Sequence, residues 1–412
     1  MKIYDNRFMK KKIICVSFLF CLCACSGNGP ATTPSGSITP TPSPSVSPTP
    51  TPTPSPTVTE KVDSPLLFTE FNVGKYVQNR ALEIYNSGIA DISLTDYAID
   101  IYRNFKEEVA YHIPLEGTIK GKGTYIITYK DANDEIKSKS DLISDSFMND
   151  GTVPMTLTYK NHIIDTFGTI GYVYDYARQK HLVKKKEYLT SEVTFNENCW
   201  IRYCIDTYET LGNVDSIDEE TLLNGPKLTS YDLTRPFVRE EDNMGGGGLI
   251  QVGYNYNIDG DTTSFNYGYS LSDYDIYGSN NTRYYGINTP EIAHSSGETS
   301  DPYGDEAKLF TTSRLNKAKK YYIQSIEGYS VRETYSRMLG YVWVSEKDNP
   351  SISNYYLLNF EIMKNGFARP AFLDFTDDFE KNMTYQGIYL IEFLYQANLY
   401  AIKNKLNIYS NN

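Results

Sequence analysis

Three short segments concentrate the chemistry of this chain. Arg283-Tyr284-Tyr285-Gly286-Ile287-Asn288-Thr289-Pro290-Glu291 is preceded by Asp259-Gly260-Asp261-Thr262 and followed by Tyr335-Ser336-Arg337. Together they supply carboxylates, an amide and a pair of arginines. That set can hold a hard cation, activate a water and neutralise a phosphorane. A cation such as Ca²⁺ takes several oxygen ligands from flexible loop ends. Asp261, the side-chain carbonyl of Asn288 and the backbone carbonyl of Thr289 can supply them to one ion, with waters completing the shell. Glu291 can hold a water as general base, and Pro290 restricts the backbone path that aims it. Arg283 and Arg337 are planar, permanently charged forks that match the equatorial oxygens of a phosphodiester under attack. The competing reading of Arg283 is a structural ion pair with Asp261 or Glu291. Asp259 reads evenly as ligand or turn residue, and Tyr335 as a platform for a stacked base or part of a barrel surface.

The elements that must position these residues begin near Leu249. Strand-like segments are followed by a helical stretch over 305–319, further strands including 339–344, and a helix over 385–405. In that last helix Leu390, Leu394, Ala397 and Ala401 recur at helical spacing. The order suits an α+β OB-fold barrel with packed helices over 249–412. The motifs strongly resemble those of the staphylococcal (thermonuclease-like) nuclease family. Asp259 to Thr262 matches its "DGDT", Arg283 to Glu291 its "RLxGIDTPE", and Tyr303-Gly304-Asp305-Glu306-Ala307 its "YGxEA". Glu333 to Leu339 stands at "DxYGRxL", Asn365-Gly366-Phe367-Ala368 at "xGxA", and Leu406-Asn407-Ile408-Tyr409 at "LNIW". The resemblance implies metal-dependent cleavage of the P–O5′ bond in DNA or RNA, leaving 3′-phosphate ends. It gives catalytic roles to Arg283, Glu291 and Arg337, metal-ligand roles to Asp261, Asn288 and Thr289, and a substrate contact to Tyr335. Asn288 stands where the family has Asp, which removes one negative charge from the cation site. Ser336 replaces Gly and Thr334 a basic residue. An insertion over 267–281 carries Asp273 and Asp275, expected to be solvated.

From 64 to 214 the pattern is short apolar alternations broken by Gly, Asn and Asp, as in a β-sandwich. Leu82-Glu83-Ile84-Tyr85-Asn86-Ser87-Gly88 with Ile92 to Tyr97 resembles the signature of the lamin-tail domain. Ile164-Asp165-Thr166-Phe167-Gly168, Trp200 and Leu211-Gly212-Asn213 fall at its later markers, while Asp96-Tyr97 replaces the usual Gly-Trp. The resemblance implies an immunoglobulin-like sandwich used to bind or position, with a cell-envelope ligand as its partner. Glu83 and Asp165 are expected on a solvated strand face. Cys199 and Cys204 are expected as partly buried thiols. Residues 215–248 are acidic, contain Pro226 and Pro236, and end in Gly245 to Gly248, a composition expected of a flexible hinge.

The N-terminus reads as an address. Lys2, Arg7, Lys10, Lys11 and Lys12 precede an apolar run from Ile13 to Ala24, too short to span a bilayer comfortably. Leu22-Cys23-Ala24-Cys25-Ser26 resembles a bacterial lipobox, which implies removal of 1–24 and diacylglyceryl modification of Cys25. The stretch that follows, to residue 63, alternates Pro with Ser and Thr and has no charge before Glu60, so it favours extended polyproline II. From Pro30 to Pro56 such a stalk reaches roughly 80 Å at ~3.1 Å per residue. A membrane-anchored protein facing the extracellular side, acting as a monomer, is the expectation.

Bulk composition excludes other classes. The 412 residues carry a net charge of −12 and a mean hydropathy of −0.45, against a polytopic membrane protein. An acidic body has no general attraction for nucleic acid, so any phosphate site must be a local positive pocket. His112, His162, His181 and His294 are far apart in sequence, which argues against a zinc hydrolase. The leading expectation is a lipid-anchored, Ca²⁺-dependent nuclease. The alternative is a catalytically silent nuclease-like barrel acting in adhesion or binding.

Overall fold

The computed structural model describes residues 62–214, 218–268, 278–293, 295–371 and 383–410. Residues Thr59–Asn412 form one compact unit, whereas Met1–Val58 and the lipidation candidate Cys25 lie outside the described residues. The described fold is mainly β, with a closed five-stranded barrel and few helices.

The first part has a four-stranded sheet and six strands of an eight-stranded one, whose other two strands come from the C-terminal part. Strand Leu66–Val73 shows how sequence sets the core between them. Its register against Arg80–Asn86 shifts between Phe68 and Glu70. One extra residue at a bulge resets the two-residue alternation. Leu66, Phe68, Phe71 and Val73 therefore all join a core shared with Ile99, Ile101, Met155, Leu157 and Phe167. The N–H of Phe68 donates instead to Asp165 Oδ2 at 2.7 Å, a tie from the eight-stranded to the four-stranded sheet. Asp165 Oδ1 accepts from the N–H of Glu192 at 2.7 Å, and Lys184 Nζ lies 3.7 Å from Oδ2.

Glu83 and Asp165 are each only 1% exposed, so the expected solvated face is corrected. Glu83 sits opposite Glu70 in the strand register and is covered by the chain at Gly212, whose N–H donates to it at 2.7 Å. Thr69 Oγ1 donates at 2.6 Å, and His181 Nε2 lies 2.9 Å from Glu70. Burial, then the charge of Glu70, pushes the Glu83 carboxyl up to about 7. Because the folded-state value exceeds the unfolded one, this group stabilises the fold below its unfolded pKa. That contribution, roughly 3 kcal/mol, is lost as pH rises through about 7. Urea unfolding at pH 5 and pH 8 should show the loss, and Glu83→Gln should flatten it. An unchanged slope in that variant would assign the pH dependence to other groups.

The barrel comprises Leu249–Asn257, Thr262–Asn266, Asn281–Tyr284, Lys320–Gln324 and Met338–Ser345. Antiparallel neighbours are closed by a parallel pairing of Asn281–Tyr284 with Met338–Ser345. Ile250, Val252, Phe265, Ile323, Val342 and Val344 contribute to its core. Helix Gly304–Lys317 is close to the expected span. The last helix is Leu390–Lys403, because Thr384–Tyr385 and Ile388–Tyr389 are strands. Leu390, Phe393, Leu394 and Ala397 face the barrel core, while Gln396 Nε2 reaches the Trp200 carbonyl at 3.4 Å. This helix is thus held on more than one side.

The expected hinge is corrected too. Leu222, Leu228, Phe237 and Val238 belong to the same core as the barrel strands. Gly245 to Gly248 are buried, and their N–H groups donate to Tyr329 O, Phe237 O, Ser325 Oγ and Pro236 O at 2.7, 3.1, 3.1 and 3.0 Å. A Cβ on Gly245 would lie 2.3 Å from Ile326 O, and one on Gly248 2.1 Å from Arg235 O. Glycine here permits close backbone approach rather than motion. Tyr203 also pairs with Ile388, so one sheet runs from the first part into the C-terminal part. Activity measurements therefore call for the full chain.

Candidate active site

The site is assembled where two barrel strands meet a tight turn. Asp259 Oδ1 accepts from the N–H of Asp261 at 3.0 Å, closing the turn before strand Thr262–Asn266. The turn reading of Asp259 is thus realised. Its neighbour Gly260 is obligatory, since a Cβ would stand 2.5 Å from Thr289 Oγ1. Thr311 Oγ1 in the first long helix fixes the Gly260 carbonyl at 2.7 Å. Strand register then sets Thr262 opposite Arg283, so Asp261 and Arg283 converge from segments far apart in sequence.

Arg283 ion-pairs with Asp261 Oδ1, and its Nη2 donates to Asn288 Oδ1 at 2.6 Å. The N–H of Thr289 donates to Asp261 Oδ2 at 2.7 Å, and Thr262 Oγ1 donates to Oδ1 at 3.2 Å. Asp261, Arg283 and Thr289 are buried, whereas Asn288 is exposed. The structural-pair reading of Arg283 is therefore realised in this arrangement. Burial, then the charge of Asp261, raises the Asp259 carboxyl to about 6.

Glu291 is held from its backbone. Its N–H donates to Asp301 Oδ2 at 3.2 Å, and its carbonyl accepts from the Asp301 N–H at 2.8 Å. Helix Gly304–Lys317 begins against that carbonyl: a Cβ on Gly304 would lie 2.4 Å from it. The Glu291 side chain is exposed and borders a cleft of about 380 Å³ shared with Asn288, Asp301, Tyr303 and Arg369.

Arg337 precedes strand Met338–Ser345, whose parallel pairing with Asn281–Tyr284 sets Leu339 beside Arg283. Its Nε donates to Glu333 Oε1 at 3.0 Å, and Nη1 lies 3.5 Å from Thr262 Oγ1. Partial burial alone would lower the Arg337 pKa. The hydrogen bond and charge of Glu333 reverse this, so the net shift is upward. Tyr335 is 79% exposed and its ring lies 5.7 Å from the Arg337 guanidinium carbon. Ser336 has φ 60°, a left-handed conformation that favours glycine and costs a serine about 1 kcal/mol.

Residues 281–410 match the family model described as Staphylococcal nuclease homologue. A comparison with curated proteins finds no match. The segment matched to the nuclease homologue contains Arg283, Asn288, Thr289, Glu291, Tyr335 and Arg337. Asp259 and Asp261 precede it, and the register of Thr262 with Arg283 brings them in. Two contributors escaped the sequence reading. Glu333 grips Arg337 from four residues away, a spacing that could have signalled it. Arg369 reaches the cleft through a short strand paired with Asn288, which no local pattern shows. Asp273 and Asp275 lie outside the described residues.

The donor types suit a hard cation: a carboxylate, an amide oxygen and a backbone carbonyl. The set is sparse. Among the described residues no group of three or more His, Cys, Asp and Glu is placed to hold a metal ion. Asp261 and Asn288 also present their oxygens to Arg283, so a cation there must share or displace that guanidinium.

Proposed function

We propose that this chain hydrolyses phosphodiester bonds of DNA or RNA, as a metal-dependent endonuclease leaving 3′-phosphate ends. The observation that carries it is the convergence of Asp261, Arg283 and Asn288 beside Glu291 and Arg337, within and against the segment matched to the staphylococcal nuclease homologue. Asp261, Asn288 and the Thr289 carbonyl would hold one Ca²⁺. When bound, such an ion supplies neutralisation of a phosphoryl oxygen.

The chain's own side chains supply the rest. Glu291, exposed at the cleft on a clamped backbone, accepts a proton from the attacking water at a carboxylate oxygen. Arg337, preset by Glu333, donates to equatorial oxygens as their charge grows. Arg283 does the same on leaving Asp261 and Asn288, and Tyr335 offers a ring to the substrate beside Arg337. End-group analysis of a cut oligonucleotide tests the choice of bond. Termini bearing 3′-phosphate and 5′-hydroxyl are expected, and 5′-phosphate products would overturn it.

A second reading, a weak or silent barrel used for extracellular adhesion, is favoured by one observation. Arg283 neutralises the single carboxylate that Asn288 leaves at the cation position. Asn288→Asp tests the cation position on which both readings turn. It restores a charge and should tighten Ca²⁺ binding by roughly tenfold, about 1.4 kcal/mol. Unchanged affinity by calorimetry would remove Asn288 from the ligand set.

We further infer that the two-sheet region is an immunoglobulin-like lamin-tail domain that binds or positions, with an envelope ligand. The Glu83 and Gly212 motif residues, hydrogen-bonded to each other, support this. The N-terminal segment is proposed as a lipoprotein signal with Cys25 diacylated, holding a monomer at the membrane on the extracellular side. Cys25→Ala should move the protein from the membrane fraction to the soluble fraction, and retention in membranes would sink the anchor.

A further inference from the structure

The cleft bordered by Glu291 contains a cation that the proposed reaction does not use. Arg283 is tied to Asp261 and Arg337 to Glu333. Arg369 lines the same cleft as Glu291, is exposed, and has no carboxylate partner among the described residues. In a chain of net charge −12, an arginine beside the proposed base with no carboxylate partner among the described residues is placed to take an anionic ligand.

Its position is fixed by backbone pairing. Strand Arg369–Pro370 runs antiparallel to Ile287–Asn288, with Asn288 opposite Arg369. Directly opposed residues project to the same face of a sheet. Arg369 therefore flanks Asn288, whose side-chain oxygen already meets Arg283. The cleft between, about 380 Å³, has the size of a small-ligand site and is walled by Tyr303. The Tyr303 hydroxyl is held by Ser410 Oγ at 2.7 Å, which steadies the ring.

We propose that Arg369 binds a phosphate adjacent to the scissile one, a contact that favours longer substrates over those with a single phosphodiester. The inference rests on the proposed hydrolytic reading of Glu291. Arg283 and Arg337 serve the reacting phosphoryl group, and Arg369 the chain that continues from it. A guanidinium fork gives that contact directionality as well as charge, and each phosphate neutralised adds to the salt dependence of binding.

The test uses the full chain, a single-stranded oligodeoxynucleotide, and thymidylyl-thymidine, which has one phosphodiester and no flanking phosphate. Arg369→Gln should lower kcat/KM on the oligonucleotide about tenfold, mainly through KM, and leave the dinucleoside within twofold. The slope of log affinity against log salt should fall by roughly 0.7, the share of one phosphate contact on a single strand. Arg369→Lys, which keeps the charge, should recover most of both effects. Equal losses on both substrates, or no loss with an unchanged salt slope, would overturn the proposal while leaving hydrolysis intact. Wild type cleaving neither substrate would instead overturn the hydrolytic reading on which it rests.

Discussion

Arg337→Ala is expected to lower kcat for phosphodiester cleavage by about 10²- to 10³-fold, the range for removing one preorganised donor from developing charge. The guanidinium is preset rather than recruited: Nε is held by Glu333 at 3.0 Å, and the Arg337 N–H meets the same oxygen at 3.2 Å. An interaction that strengthens only as the phosphorane forms appears in kcat more than in KM. Arg337→Lys should recover only part of the rate, because an ammonium keeps the charge but loses the fork. Glu333→Gln should fall between wild type and Arg337→Ala, since it loosens the fork without removing it. Steady-state kinetics on a single-stranded oligonucleotide reads all three. A variant without Arg337 that retains wild-type kcat would remove this residue from the reacting centre.

Glu291→Gln is expected to cost about 10²- to 10⁴-fold in kcat, the usual contribution of a positioned general base. The substitution is nearly isosteric at an exposed side chain, and the backbone bonds to Asp301 remain available. Unfolding stability should therefore change little, which separates lost chemistry from lost fold. The pH dependence of kcat/KM should lose its acidic limb in the variant. Retention of that limb with full activity would assign proton abstraction elsewhere.

How much of this was legible in the sequence depends on the range of the interactions. Residues close in the chain are legible together: Asn288, Thr289 and Glu291 lie on one short stretch. The turn at Gly260 lies against the Thr289 side chain and the helix start at Gly304 against the Glu291 backbone, both too close for a Cβ. The final helix was legible from its apolar spacing, though not its start, because a short strand takes 388–389.

What depended on distant backbone was not legible. Four consecutive glycines looked flexible, yet they pack against Pro236, Ile326 and Arg235. Glu83 and Asp165 looked solvated because carboxylates usually are. A bulge that frees the Phe68 N–H and a covering segment at Gly212 make their burial tolerable. Arg283 was open between substrate contact and ion pair, and the strand register with Thr262 puts it on Asp261. Composition alone cannot show such pairings, since each depends on which segments a sheet brings together.

The central claim is a phosphodiester-cleaving site built from Asp261, Arg283, Asn288, Glu291 and Arg337. Its most direct test incubates the full chain with single-stranded DNA in Ca²⁺ or in chelator, with Glu291→Gln in parallel. Cleavage by wild type in Ca²⁺, lost in chelator and lost in Glu291→Gln, is the result predicted. No cleavage at any Ca²⁺ concentration, or equal cleavage by the variant, would contradict it.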